Sequence, residues 1–486
     1  MIQIRFYKSY IIYNINKYKF STPTIGIIGY PNIGKSTFFN TLVKKELAFV
    51  QNLPFSTINP NKSIIKVEDK ELLYLSNLIL NCSNKENKDK YFIPKLNSYE
   101  VKIMDIAGII KNSHTDNTRF LPGYDCDSFI HIIRCFEDKS IQYMDNSIDC
   151  ISEYEITKTE MILSDIIKLS KLNKNIINVK NLRLINKGAK KSRKLNKEDI
   201  DITNLISLND KSVINSATIE ICYNYLNNLK FTIKKYSKLL NLKKDLKDIL
   251  LKENTISNII NKHSVLNKEL IINTILDELN LLSLKPSIFV LNSNMSNLIN
   301  NNVVDFVSYL KFNGLESDYI LTSILYEREA VLLSEEYSDI INFNKSIKEI
   351  YSLDYNKKII ESENNKFNIK YKHEFNSLNT IEKIILDKLN YIKFYTIAGK
   401  SNIISSYIIK KGSNILLAAN KVHSNFANNF ISADIYNIED IYKLIDKDSN
   451  FDLLIDEAEL INKNIIKKVN KNYKLDKTGN ILKFNI

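Results

Sequence analysis

The stretch Thr24-Ile25-Gly26-Ile27-Ile28-Gly29-Tyr30-Pro31-Asn32-Ile33-Gly34-Lys35-Ser36-Thr37-Phe38-Phe39 decides the fold of this chain. Thr24 to Ile28 is a short apolar run that reads as a strand, and Lys35 to Leu42 reads as a helix. The loop between them has the spacing G-x-x-x-x-G-K-[ST], and a strand before with a helix after is the context that gives this motif meaning. Glycines let such a loop curl until its N–H groups point at phosphate oxygens, and the helix N-terminus adds about half a positive charge. Lys35 is then placed to reach the β and γ phosphates, and the Ser36 hydroxyl to ligate Mg²⁺. The chain holds only 10 glycines and 7 prolines, so the survivors mark places where the backbone cannot do without them. Gly26, Gly29, Gly34 and Gly108, with Pro31, Pro54, Pro60 and Pro286, all lie in or beside the motifs described here.

Working outward, 486 residues set a prior of about three domains. With 44% hydrophobic and 25% charged residues the composition is globular. No apolar run approaches the ~18 to 20 residues that a membrane-spanning helix needs, and no membrane partner is expected. A formal charge of +13 favours anionic partners such as RNA or phosphorylated ligands. The five cysteines form no C-x-x-C pair and their number is odd, which argues against a zinc cage or a secreted disulfide framework and for a reducing compartment. No acidic residue precedes Glu46, and Arg5, Lys8, Lys17 and Lys19 lie among Tyr, Ile and Phe. Residues 1–22 therefore read as a basic leader: either a transit peptide for a mitochondrion or plastid, or an ordinary basic extension of a cytoplasmic protein.

Further strands are expected at Ser63 to Val67, Tyr99 to Asp105, Phe129 to Cys135, Pro286 to Leu291 and Ile320 to Thr322. Between Ile156 and Leu284 a Leu-, Ile-, Lys- and Asn-rich stretch with helical periodicity reads as long helices forming an inserted hairpin. Its basic run Lys187 to Lys194 is either a solvated hairpin tip or a patch that touches RNA. From 323 to about Thr380 the chain is polar and poor in signals, and β-rich pieces at Tyr391 to Thr396, Ile403 to Ile409 and Leu482 to Ile486 suggest a small α+β domain. The expected organisation is a nucleotide-binding domain over 23–150 and 285–385, a helical insertion over 151–284, and a last domain over 386–486.

Asp105-Ile106-Ala107-Gly108 ends an expected strand 70 residues after Lys35, where a P-loop NTPase needs a carboxylate toward the metal and a glycine N–H toward the γ-phosphate. Asn52-Leu53-Pro54-Phe55-Ser56-Thr57 offers a threonine that could complete the Mg²⁺ shell. Together with His131-Ile132-Ile133-Arg134-Cys135-Phe136-Glu137-Asp138, Leu281 to Pro286, Phe394-Tyr395-Thr396, Lys411-Gly412 and Val422 to Phe426, these motifs make the chain resemble the Obg-like ATPases of the YchF type, within the translation-factor class of P-loop GTPases. The likeness runs from about 24 to 486, apart from stretches such as 345 to 380. It implies an α/β fold: a split P-loop NTPase G domain, an inserted helical (coiled-coil) hairpin and a C-terminal α+β TGS domain. It also implies weak NTP hydrolysis and association with ribosomes and rRNA through the TGS domain and the insertion, by a monomer.

The resemblance carries over residue by residue. Asn32, Ile33, Gly34, Lys35, Ser36 and Thr37 would hold phosphate with Gly108; Ser36 and Thr57 would hold Mg²⁺; Lys35 and Asp105 would serve catalysis. Ile109 stands where Ras-like enzymes place a water-orienting Gln, so catalytic help must come from elsewhere. His131 matches a family histidine and is the candidate, with a packed structural histidine as the alternative; His114 is read as loop surface. Phe136 either stacks on the base or belongs to the core. The base-reading stretch is Asn292-Ser293-Asn294-Met295, which lacks the acidic residue that answers the guanine N1 and N2 donors, so ATP is favoured over GTP. Residues 109–119 contain no glycine, where relatives have a glycine-rich switch, and Thr322-Ser323-Ile324 lacks their lysine. Two functions follow: a slow Mg²⁺-dependent ATPase that regulates contact with a ribosome, or a nucleotide-stabilised module that binds ribosomes or RNA without cycling.

Overall fold

The computed structural model describes residues 22–44, 60–67, 69–76, 94–106, 108, 123–138, 148–185, 217–227, 242–253, 272–273, 276–277, 279–313, 318–336, 376–398, 403–445 and 465–486. Contacts group them into two compact units, one containing Thr24–Lys62 and Ile103–Ser377, the other Ser63–Lys102 and Leu378–Ile486.

The first sheet and its helices begin with β1 (Thr24–Ile28), α1 (Lys35–Val43), β2 (Asn61–Lys66), β4 (Glu100–Asp105) and β5 (Ser128–Arg134). A helical region follows, with α2 (Cys150–Ile185), a helix over 217–227 and α3 (Leu242–Lys252), and then come β6 (Ser287–Asn292), α4 (Asn301–Phe312), β7 (Tyr319–Thr322) and α5 (Ile324–Glu336). The six strands order as β2-β4-β1-β5-β6-β7, with β1, β5, β6 and β7 parallel in turn. Every residue of β5 is buried, which is why its sequence is largely apolar with no alternation of period two. Because the strands run parallel, the loops after β1, β4, β5, β6 and β7 emerge at one edge, where open α/β sheets bind ligands. The strands expected from sequence are present within two residues at each end, and the described residues of the insertion are mainly helical. The stretch after Thr322, read as poor in signals, holds α5. Glu327 and Arg328 are buried on its inner face with Ile324, Ala330 and Val331, so the helix has no apolar stripe to announce it.

The helical region packs on Ile162, Leu169, Cys222, Leu226, Leu246, Leu250 and their neighbours. In α3 the core residues Leu242, Leu246 and Leu250 recur every fourth residue and share one face. A buried carboxylate fixes the root of α2 to the chain entering β6. Asp165 accepts from the backbone N–H of Leu282 at 2.9 Å and of Ser283 at 2.8 Å, and from the Tyr124 hydroxyl at 3.2 Å. Lys158 donates to the Ser283 carbonyl at 2.6 Å, and Lys285 donates to the carbonyls of Gly123 and Tyr124 at 2.9 and 2.8 Å.

The second unit is a six-stranded sheet of order β12-β11-β14-β8-β9-β3, with β3 (Lys95–Asn97), β8 (Tyr391–Ala398), β9 (Ile403–Lys410), β11 (Ser432–Asn437), β12 (Lys467–Val469) and β14 (Asn480–Asn485). A two-stranded ribbon joins β10 (Ser413–Asn414) to β13 (Lys474–Leu475). One core holds Ile392, Phe394, Ala433 and Leu482 against Ile415, Ala418 and Ala419 of the helix Ile415–Val422. Residues 63–102 join this unit because β3 pairs in parallel with β9 and because Asp69 meets β8. Lys393, 4% exposed, is surrounded by Glu382 at 2.7 Å, Asp69 at 3.3 Å and Glu71 at 3.4 Å, and the Tyr395 hydroxyl donates to Asp69 Oδ2 at 2.9 Å. Removing one member of such a buried ionic group leaves the others uncompensated.

Candidate active site

The loop between β1 and α1 curls through backbone that side chains rarely adopt, with φ of 143° at Gly29, 59° at Asn32 and 99° at Gly34. A Cβ on Gly29 would stand 2.6 Å from the Ile132 carbonyl oxygen of β5, so both conformation and space demand glycine there. Lys35, the first residue of α1, is buried and donates from Nζ to the Tyr30 carbonyl at 2.5 Å, across the mouth of its own loop. Burial lowers its pKa to about 8, while Asp105 and then Glu153 pull the other way.

The next residue meets the end of β4. Ser36 Oγ donates to Asp105 Oδ2 at 2.8 Å. Burial raises the Asp105 pKa, against which Lys35, Ser36 and Asn61 favour the charged form. Its other oxygen, Oδ1, is buried with no hydrogen-bond partner. A hydroxyl and a carboxylate with an unused buried oxygen are hard donors, and they fit a magnesium ion that keeps several of its ligands from phosphate and water. Gly108 completes this side: a Cβ there would sit 3.0 Å from the Pro31 nitrogen, so the D-x-x-G glycine lies flat against the phosphate loop.

On the other flank, Asn292 at the end of β6 clamps two loops together. Its Nδ2 donates to the Ile33 carbonyl at 3.0 Å, and its Oδ1 accepts from Ile324 N–H, at the start of α5, at 3.1 Å. Ser293 donates its N–H to the Thr322 carbonyl at 2.9 Å and its hydroxyl to the Asn297 carbonyl at 3.1 Å. Asn300 was not singled out by sequence, yet it binds the loop from beneath. Its Nδ2 donates to the Cys135 carbonyl at 2.6 Å and Ser293 Oγ at 2.9 Å, while Oδ1 caps α4 by accepting from Val303 N–H at 3.0 Å. An Asn just ahead of Val303, Phe306, Val307 and Leu310 is the cap signal that could have found it. Phe136 is half-buried, with the buried Arg134 guanidinium carbon 4.5 Å from its ring centre. Arg134 Nε also donates to the Phe136 carbonyl at 3.1 Å.

The structure thus brings Ile33, Gly34, Lys35, Ser36, Asp105, Gly108 and Asn292 together, with Thr37 in the first turn of α1 and Ser293 and Phe136 on the loops beside them. His131 lies within β5 beside Ile28, the last residue of β1, its ring 5.4 Å from that of Tyr154 and 5.8 Å from that of Phe289. Burial, reinforced by Lys158 and Lys35, lowers its pKa to about 3, so it is neutral at physiological pH, and Nε2 has no hydrogen-bond partner. Thr57, residues 109–119 with His114, the run 187–194 and the leader 1–21 lie outside the described residues.

Comparison with known proteins agrees with this geometry. Residues 24–181 match the 50S ribosome-binding GTPase family, and residues 391–486 match the YchF-type GTPase C-terminal family, described as a protein of unknown function (DUF933). The chain belongs to the YchF/Obg-like ATPase family. It is 28% identical over 422 residues to the ribosome-binding ATPase YchF of Buchnera aphidicola subsp. Schizaphis graminum, covering 86% of this chain and 89% of that one. It is 38% identical over 145 residues to Obg-like ATPase 1 of Gallus gallus, covering 29% of this chain and 33% of the relative. The structure of the Schizosaccharomyces pombe YchF GTPase superposes with a TM-score of 0.59 at 20% identity, over 96% of this chain and 98% of that one, and establishes the fold. As a member of this family the chain is a P-loop nucleotide-binding NTPase.

Proposed function

We propose that the protein is a Mg²⁺-dependent NTPase that prefers ATP, turns it over slowly, and uses its nucleotide state to regulate association with ribosomes. The single observation that supports this best is the contact of Ser36 Oγ with Asp105 at 2.8 Å beside the buried Lys35. Ser36, with Thr57, would hold the ion, and Asp105 would support its water shell. When bound, magnesium neutralises charge on the β and γ phosphate oxygens. Lys35 gives up the Tyr30 carbonyl and stabilises charge on the transferred phosphoryl group. Gly108 N–H orients the γ-phosphate, and the neutral imidazole of His131 is the candidate for catalytic help. No covalent intermediate is required, because a positioned water attacks directly.

Preference for ATP rests on the missing carboxylate in Asn292 to Met295: the guanine N1 and N2 donors would go unanswered. The ribosome is proposed as partner because the relative matched over most of the chain carries the name ribosome-binding ATPase. Contact with rRNA would fall to the C-terminal domain, read as a TGS domain over 386–486, and to the helical insertion over 151–284, with the leader directing the monomer to an organelle. A second reading, a nucleotide-bound ribosome or RNA binder that no longer cycles, is favoured by residues 109–119, which contain no glycine. Titration of the protein with ATP and GTP in Mg²⁺, followed by phosphate release with and without ribosomes, separates these. Tighter ATP binding with ribosome-stimulated release is the expected outcome. Binding without release selects the second reading, and a preference for GTP overturns the assignment of the base.

A further inference from the structure

Two thiols meet where the helical region leaves the nucleotide-binding sheet. Cys135 follows β5 directly, Cys150 opens α2, and their sulfurs are 3.5 Å apart, in contact and unbonded. Both are held from several sides. Cys135 donates its N–H to the Asn292 carbonyl at 2.8 Å and accepts at its own carbonyl from Asn300 Nδ2 at 2.6 Å, while Cys150 Sγ lies 3.2 Å from the Arg134 carbonyl. Asp149 caps the helix, accepting from Ile151 and Ser152 N–H at 3.1 and 3.0 Å, so Cys150 cannot swing away without unwinding the first turn. The other described cysteines, Cys126 and Cys222, are buried in separate clusters.

We infer that Cys135 and Cys150 form an oxidant-responsive dithiol whose product is an intramolecular disulfide joining the end of β5 to the first turn of α2. A bonded pair needs about 2.05 Å between sulfurs, so closure asks for roughly 1.5 Å of approach, within reach of rotamer adjustment and a small shift of one helical turn. The co-reactant is a hydroperoxide. Cys150, 4% exposed against 0% for Cys135, meets it first. Its thiolate sulfur takes the terminal oxygen, the O–O bond breaks, and the departing alkoxide or hydroxide is protonated to an alcohol or to water. The Cys135 thiolate then attacks the Cys150 sulfur, the S–O bond breaks, and the hydroxide takes up a proton and departs as water. Two thiols are oxidised by two electrons and one peroxide is reduced. Burial pushes the Cys135 thiol up, as does its Cys150 neighbour, so the pair stays reduced until oxidant enters through local opening of the helix start.

The linkage is independent of which nucleotide the site takes. It would covalently join the strand end that carries Arg134 and Phe136 to the root of the helical region. The test exposes the full-length native protein to hydrogen peroxide, quenches it with N-ethylmaleimide in denaturant, and maps the peptides by mass spectrometry. The chain has five cysteines, and labels are expected to fall from five to three, with a Cys135–Cys150 cross-linked peptide two mass units lighter than the reduced pair. Dithiothreitol should restore all five. Cys150→Ser and Cys135→Ser should each abolish that peptide, and Cys126→Ser should leave it intact, with circular dichroism confirming that each variant is folded. Five labels after treatment, a disulfide to another cysteine, or oxidation only after unfolding would overturn the inference.

Discussion

His131 offers a quantitative test of how the first unit is assembled. Its imidazole has a pKa lowered to about 3 by burial, against an ordinary value of 6.5. A group depressed in the folded state contributes stability that is fully present above 6.5 and is lost as pH falls toward 3. Each pH unit inside that window is worth about 1.4 kcal/mol, so acidification to about pH 5 should cost about 2 kcal/mol from this residue alone. Other groups titrate over the same range, and the comparison with His131→Gln removes them, since the amide is similar in volume and does not ionise. The assay is hydrogen exchange on peptides covering β5 in both proteins near pH 7.5 and pH 5. Intrinsic exchange is then common to the pair at each pH. Protection in the wild type should drop about 30-fold more than in the variant, the ratio that corresponds to about 2 kcal/mol. Equal drops, within about threefold, would mean that the imidazole is hydrated in the folded protein and that its place among Tyr154 and Phe289 is wrong.

Four other outcomes are expected. Lys35→Ala should abolish nucleotide binding, leaving the C-terminal unit folded by circular dichroism; ordinary ATP affinity in that variant would refute the phosphate-loop assignment. Because Lys35 has a pKa of about 8 without ligand, binding of a triphosphate near pH 8 should take up about half a proton, read by calorimetry in buffers of different ionisation enthalpy, and Lys35→Arg should lose that uptake. His131→Gln should lower turnover with the nucleotide dissociation constant unchanged, and unchanged turnover would leave that histidine as a packing residue. Asp165→Ala should destabilise the first unit by about 2 to 4 kcal/mol, because two buried N–H donors lose their acceptor and nearby lysines lose a compensating charge, seen as faster exchange across 282–285.

The parts of the fold that were legible in sequence share one property: their signal is local. The loop 29–36, the largely apolar run of β5 and the strand ending in Asp105 are each written in consecutive residues. What escaped the reading depends on partners distant in sequence. β3 is a strand because β9, some 300 residues later, supplies its pairing. α5 turns Glu327 and Arg328 inward because Thr322 and the Asn40 carbonyl receive them there, so no apolar stripe marks it. The site divides along the same line. Lys35, Ser36 and Asp105 follow from spacing, whereas the hold of Asn292 on both Ile33 and Ile324 needs two crossovers of the sheet to appear.

The helix that begins beside β5 runs for 36 residues. At about 1.5 Å per residue it spans about 54 Å. Fastened to Leu282 and Ser283 by Asp165 and Lys158, it acts as a mechanical arm whose first turn touches the strand that carries Arg134. Rotation about that anchorage by about two degrees displaces the far end, about 30 Å beyond Asp165, by about 1 Å. A change at the phosphate loop too small to alter any single contact would therefore arrive there as a displacement that a bound partner can feel.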